Sequence, residues 1–226
     1  MGAGATPAHK TERRSYRSPE RQSQARRTRA RILDAATEAF RAHGYAGTTV
    51  AAVAAAAGVS VAAVELAFPT KPDLLKAAID VAIAGDDEPV PVLERPWAVA
   101  ARAAPDAATF LDAVAAILVA AAERSDALVL AALEGARSDD RLVPLAEQLR
   151  AQRAATAGWI VDGLTRHSPL RFGLDRSQAI DIVWLLMDPA VFDRLTLARQ
   201  WPPDRFGRFF ADSLLRLLTD VAGSNG

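Results

Sequence analysis

From Ala25 onward the apolar residues recur at three- and four-residue spacing. Ile32, Leu33, Ala36, Ala39 and Phe40 share one side of a helix, and Gly44 supplies the left-handed position that ends it. Thr49 stands ahead of a second segment whose apolar face is Val50, Val53, Ala54 and Ala57, with Gly58 to stop it. Ser60 then opens a third segment in which Val64, Ala67 and Phe68 point to the core. Two short helices joined by a tight Gly-containing turn, the second opened by a Ser, have the form of a helix-turn-helix. The alanines at 54, 55, 56 and 57 let the pair pack closely at a steep angle, although alanine-rich hairpins also occur as plain structural packing. Thr70-Lys71-Pro72-Asp73 reads as a capping box for a fourth helix. Lys71 is oddly placed there, because a cation at a helix N-terminus opposes the macrodipole by a few tenths to roughly 1 kcal/mol. A phosphate held by the free N–H groups and the lysine together would remove the mismatch.

Beyond this head the pattern stays helical. Residues 85–104 carry Pro89, Pro91 and Pro96 and read as a linker with a short helix. Pro105–Arg124 has a stripe of Phe110, Leu111, Val114, Ile117 and Leu118, Asp126–Ala136 is a shorter helix, and Asp139–His167 is a long one with a bend expected near Pro144. Asp175-x-x-Gln178 opens another helix, and the last runs from about Pro203 to Thr219. No strand alternation interrupts them. The expected fold class is all-α, a three-helix helix-turn-helix domain over residues 25–84 and a helical bundle over 105–221.

Charge changes the picture. The 226 residues have no net charge, but residues 1–31 hold nine basic side chains against Glu12 and Glu20, a net +7 that the remainder balances. Residues 1–24, poor in large apolar groups, are expected to form a disordered basic arm suited to a polyanion. Without cysteine there is no disulfide framework and no thiolate chemistry, and His9, His43 and His167 are the only imidazoles, so no cofactor or metal is expected. The longest apolar run, Ala113–Ala122, is too short to span a bilayer, and a cytoplasmic protein is expected. A catalytic reading finds no Gly-x-Ser-x-Gly elbow, phosphate-cradling loop or metal-spaced cluster.

The segment "ILDAATEAFRAHGYAGTTVAAVAAAAGVS" followed by "AFPTKPDLL" resembles the TetR family of transcriptional regulators. Ala35, Phe40, Gly44, Tyr45, Thr48, Thr49, Val50, Ala54, Ala57, Gly58, Val59, Ser60, Phe68, Lys71 and Leu74 carry the likeness, and the C-terminal helices look like those of an actinobacterial-type branch. The resemblance implies a homodimer on palindromic double-stranded DNA, responsive to a small-molecule effector and most often a repressor. Its implied DNA contacts are Arg26, Arg27, Arg29, Thr48, Thr49, Ser60, Val61, Ala62, Ala63, Glu65 and Lys71. An effector pocket between the middle helices would draw its wall from Phe110, Leu133, Trp159 and Met187, with Asp112 and Asp162 as acids in apolar helices, and a four-helix dimer interface would use Ile180, Val183, Trp184, Phe206, Phe210, Leu214 and Leu217.

One departure stands out. Where the family has a phosphate-binding tyrosine this chain has Glu65, and like charges about 4 Å apart repel by roughly 1 kcal/mol even in bulk water. The third helix also lacks the Arg, Asn or Gln of bidentate base contacts. Three accounts follow. Bases are read through Val61, Ala62 or Ala63 on thymine methyls and Glu65 on a cytosine amino group, with affinity from the arginines; or DNA binding is weakened or partner-dependent; or it is lost, and the head serves a protein contact.

Overall fold

The computed structural model describes residues 19–86, 90 and 92–220, so most of the expected arm, residues 1–18, lies outside the described residues. Helix α1 runs Pro19–Gly47 and starts ahead of the expected Ala25. Proline tolerates the first helical position because its missing N–H would be unpaired there anyway, and Glu20 in the first turn complements the macrodipole, so residues 19–24 join the helix rather than the arm. Gly44, with φ 63° and ψ −174°, breaks α1 in a region of backbone space open essentially to glycine alone.

The local signals of the head form as read. Helix α2 (Val50–Ala57) is capped by Thr49, whose hydroxyl accepts from the Ala52 N–H, and is closed by Gly58 in the left-handed conformation. Helix α3 (Val61–Ala67) is capped by Ser60, which accepts from the Ala63 N–H. Helix α4 (Lys71–Ala84) opens with the reciprocal Thr70–Asp73 capping box and closes on Gly85. A short α5 (Pro96–Arg102) leads into the body.

The body departs from expectation at its centre. Helix α6 runs without interruption over Ala107–Gly135, where two helices parted near Ser125 and Asp126 are expected from the sequence. Ser125 is buried and donates its hydroxyl to the Ala121 carbonyl at 2.9 Å, so it is paired within the helix instead of ending it. Helix α7 covers Val143–Leu164 and starts later than Asp139, because Asp139 caps a separate 3₁₀ turn and Pro144 falls in the first turn of α7, where a missing N–H costs nothing. Helix α8 (Arg176–Leu186) has the expected Asp175–Gln178 capping box. A short α9 (Pro189–Asp193) and a π turn at Arg194–Ala198, neither read from the sequence, precede α10 (Pro203–Leu218). Among the described residues there is no strand, only an isolated bridge between Leu170 and Thr219, and no single helix is long and apolar enough to cross a membrane.

Two apolar cores share α6. The first joins Ile32, Phe40, Val53, Val64, Leu74 and Ile79 of the head to Leu128, Val129 and Ala132 of α6 and to Leu145 and Leu149 of α7. The second packs Phe110, Leu111 and Val114 of α6 against Ile160, Val183, Phe206, Phe210 and Leu214. The head is therefore seated on the C-terminal half of the central helix. Hydrogen bonds reinforce the seam: Arg41 of α1 donates to the Arg124 carbonyl at 2.5 Å, and Arg124 Nε donates to the Ala82 carbonyl of α4 at 2.9 Å.

Candidate functional site

Helices α2 and α3 meet at 104°. Buried Val64 and Phe68 turn α3 so that Val61, Ala62, Glu65 and Leu66 face outward, with Ala63 half-buried beside them. Leu66, 88% exposed, is the most prominent apolar group on this face and was not singled out from the sequence, although its spacing from Val61 and Ala62 places it there. Glu65 has no ion-pair partner among the described residues, so its charge is presented outward. Ser60 and Thr49 are exposed, and each uses a hydroxyl lone pair on its helix cap, which leaves the hydroxyl proton for another acceptor.

The arginines at the start of α1 divide. Arg26 and Arg27 are exposed, Arg27 donating to Gln24 at 3.2 Å, whereas the Arg29 guanidinium lies 4.3 Å over the Phe68 ring and so is held at the end of α3. One implied contact needs correction, and a second has a partner within the chain. Thr48 is buried, and its hydroxyl donates to the carbonyls of Ala39 and Gly44 at 3.0 and 2.8 Å, so it ties the end of α1 together and presents nothing to a nucleic acid. Lys71 places its ammonium 4.0 Å over the Tyr45 ring; burial lowers its pKa, with the Asp139 charge opposing that shift. The ring and the nearby carboxylate thus answer the dipole mismatch within the protein, and no phosphate is required to explain it.

Tyr45 occupies the joint between head and body. Its hydroxyl is buried without a partner in hydrogen-bonding geometry, and burial followed by the nearby Asp139 carboxylate raises its pKa. Asp139 itself is held at about 2, chiefly by the Arg141 guanidinium, which binds both carboxylate oxygens at 2.9 and 2.7 Å. At Gly135, a Cβ would stand 2.6 Å from Leu142 and 3.3 Å from Tyr45, so a residue without a side chain lets α6 approach this corner.

A cavity of about 1590 Å³ opens between α4, α5, α6 and α7, larger than the ~300–1,000 Å³ common for small-molecule sites. Leu133, Trp159 and Met187 line it, with Trp97, Ile117 and Leu118. Phe110 does not. It is fully buried behind the wall between Trp159 and His167, at ring distances of 5.8 and 6.1 Å, and Gly163 gives it room. Asp112 and Asp162 also lie elsewhere: both are exposed, and Asp162 is held by Arg176 at 2.8 and 2.9 Å. The acid that does face the cavity is Asp126, at the point where the sequence pattern suggests a helix start. Small solvent can reach it from the cavity, so by surface it is only half-buried, yet protein encloses it; that burial, then the charges of Asp188 and Asp193 against Arg153, pushes its carboxyl up to about 7.

The face of α8 and α10 expected to meet a second copy is largely spent within the chain. Val183, Phe206, Phe210 and Leu214 are fully buried, Phe206 meeting Phe192 edge-on at 5.0 Å, because α10 lies against α6 and the short α9 fills the remaining side. Of the expected interface, Leu217 is exposed and Ile180 and Trp184 are half-buried, Trp184 lying beneath the Arg153 guanidinium at 3.9 Å. Leu185, 59% exposed on α8, adds to that outer surface.

The model of a family described as bacterial regulatory proteins, tetR family, matches residues 32–78, which span the helix-turn-helix and most of α4. No curated protein matches the sequence. Solved structures similar to this one include NalD of Pseudomonas aeruginosa, the secondary repressor of the MexAB-OprM multidrug efflux pump. It is 19% identical, with a TM-score of 0.63 over 88% of this chain and 100% of that one. The transcriptional regulator FadR of Bacillus subtilis, in complex with stearoyl-CoA, is 18% identical, with a TM-score of 0.65 over 83% and 98%. A protein of Saccharomonospora viridis in complex with choline, described as a transcriptional regulator, is 17% identical, with a TM-score of 0.64 over 88% and 100%. These likenesses establish the fold across the head and the body together.

Proposed function

From the match of residues 32–78 to the tetR family model, we propose that the protein is a homodimeric DNA-binding transcriptional regulator of that family, a repressor released from a palindromic operator by a small molecule. The observation that carries this reading is the pairing of an outward-facing α3 with a large cavity on the other side of a shared core: α6 lines the cavity with Ser125, Asp126 and Val129 while packing the head through Leu128 and Ala132. An effector that favours one arrangement of α6 would shift the population of head spacings, and only one spacing fits successive major grooves. Val61, Ala62 and Leu66 would supply apolar contacts to thymine methyls and Glu65 a carboxylate for a cytosine amino group, with phosphate affinity from Arg26, Arg27 and the Ser60 and Thr49 hydroxyls. The dimer would form on the outer surface of α8 and α10, through Leu185, Leu217 and the exposed parts of Ile180 and Trp184. The NalD repressor and the stearoyl-CoA and choline complexes among similar folds support this assignment of roles.

The test is selection of bound sequences from a random duplex library with the purified protein at two salt concentrations. The expected result is a palindrome with half-sites about one turn apart, ~34–36 Å, whose enrichment weakens at the higher salt. Absence of any enriched motif at both salts, with the oligomer intact, would overturn it. A second reading, in which this fold has weakened or lost DNA binding and acts through a protein partner, is favoured by the outward carboxylate of Glu65 beside exposed Leu66. Glu65→Tyr separates the two: tighter non-specific DNA binding is expected if the carboxylate only repels phosphate, and weaker sequence-specific binding if it reads a base.

A further inference from the structure

The charges around the cavity are unevenly satisfied. Its arginines are largely committed: Arg95 holds Asp86 through two bonds of 2.6 and 2.9 Å, Arg124 donates to the carbonyls of Ala82 and Ile83, and Arg153 pairs with Asp188 at 2.8 Å while lying over Trp184. Arg150, the remaining lining arginine, is solvent-exposed. Among the lining acids, Asp80 is paired with Lys76 at 2.6 Å, Asp86 with Arg95, and Glu94 is exposed. Asp126 has neither a hydrogen-bond nor an ion-pair partner among the described residues. It lies on α6 among apolar lining residues and the neutral polar groups of Ser125, Gln152 and Thr156, with Asp188 and Asp193 near enough to act on its charge and Arg153 already shared with Asp188.

A carboxylate so placed is costly to the empty protein, since the Arg153 charge offsets only part of the burial and of the repulsion from Asp188 and Asp193. A cation brought by a ligand would compensate it, and once the ligand has displaced solvent from the cavity that pairing is worth more than at the surface. An anionic head at the same place would be repelled by Asp126, and by the charges of Asp188 and Asp193 that already act on it from outside the cavity lining. We propose that the cavity takes an amphiphile with a cationic nitrogen, an alkylammonium head docked at Asp126 and an apolar body along Trp97, Ile117, Leu118, Leu133, Trp159 and Met187. This rests on the reading of the cavity as the effector site and specifies the chemistry of that effector. The polar side chains of Ser125, Gln152 and Thr156 on the same lining give the head group hydrogen-bond acceptors besides the carboxylate.

The experiment uses the full-length protein without DNA and three probes of one chain length, decylammonium, decanoate and 1-decanol, each below its aggregation limit. Binding is read by calorimetry and by tryptophan fluorescence, since Trp97 and Trp159 line the cavity. The cation is expected to bind about tenfold or more tightly than decanoate, and Asp126→Asn is expected to lower cation affinity about tenfold while leaving decanol within about twofold. Retained decanol binding shows that the variant is folded with its cavity intact. Decanoate binding as tightly as the cation, or cation affinity unchanged in Asp126→Asn, would overturn the cationic assignment while leaving the effector cavity standing. Failure of all three probes on the wild-type protein would overturn the cavity reading itself.

Discussion

Replacing Asp126 with asparagine should make the protein more stable, and by an amount that depends on pH. An aspartate ordinarily titrates near 3.8; burial and the charges of Asp188 and Asp193 carry this one to about 7. Because the folded value lies above the unfolded one, the folded state holds the proton more tightly. The residue's contribution to stability is therefore fully present below about pH 4, falls as the pH climbs toward about 7, and is flat above that. At about 1.36 kcal/mol per pH unit the span is roughly 4 kcal/mol for a dry site, and solvent entering through the cavity reduces it to about 2–4 kcal/mol. An asparagine side chain cannot ionise and should escape this loss. Urea unfolding of both proteins from pH 4 to 8.5 should give curves that coincide at the acid end and diverge to about 2–4 kcal/mol above pH 7, with the Asp126→Asn variant the more stable. Parallel curves over the whole range would refute the reasoning, because they would mean that Asp126 titrates as it does in the unfolded chain.

Gly163→Ala should destabilise by about 1–3 kcal/mol and lower the Tm, since a Cβ there would clash with the tip of the Phe110 ring that fills the space behind the cavity wall; an unchanged Tm would show that the ring can move aside freely. Thr48→Val should cost about 1–2 kcal/mol by equilibrium unfolding, through loss of the hydroxyl's bonds to Ala39 and Gly44, while the folded variant binds DNA as the parent does. Leu185→Glu combined with Leu217→Glu should convert the proposed dimer into a monomer in light scattering with helicity retained, because both residues are exposed in the single chain. A dimer of unchanged strength would place the interface elsewhere.

The head was legible because its signals are local. Thr49, Gly58, Ser60 and the Thr70–Asp73 box act on backbone groups within a few residues, and all of them form as the sequence reads. The body was less legible because an apolar stripe does not say what covers it. On α10, Phe206, Phe210 and Leu214 could as well meet a second copy as the same chain, and α6 with the unread α9 takes them. At Ser125 and Asp126 a polar pair in an apolar run looks like a helix boundary. It is continuous helix that faces a cavity, and no periodicity separates those two cases. Thr48 and Lys71 illustrate a different limit: the motif places them correctly in the chain, while only packing shows that one hydroxyl is consumed by α1 and one ammonium by Tyr45.

The unbroken course of α6 has a mechanical consequence. At about 1.5 Å per residue its 29 residues make a rod of roughly 43 Å. One end is clamped among the aromatic side chains of the body, the other carries the head, and the cavity opens along its middle. Such a rod acts as a lever. A tilt of about 5° at the clamped end would carry the far end on the order of 4 Å, more than the reach of a hydrogen bond. The head could then be moved off its target as a rigid body, with every contact in its own core preserved.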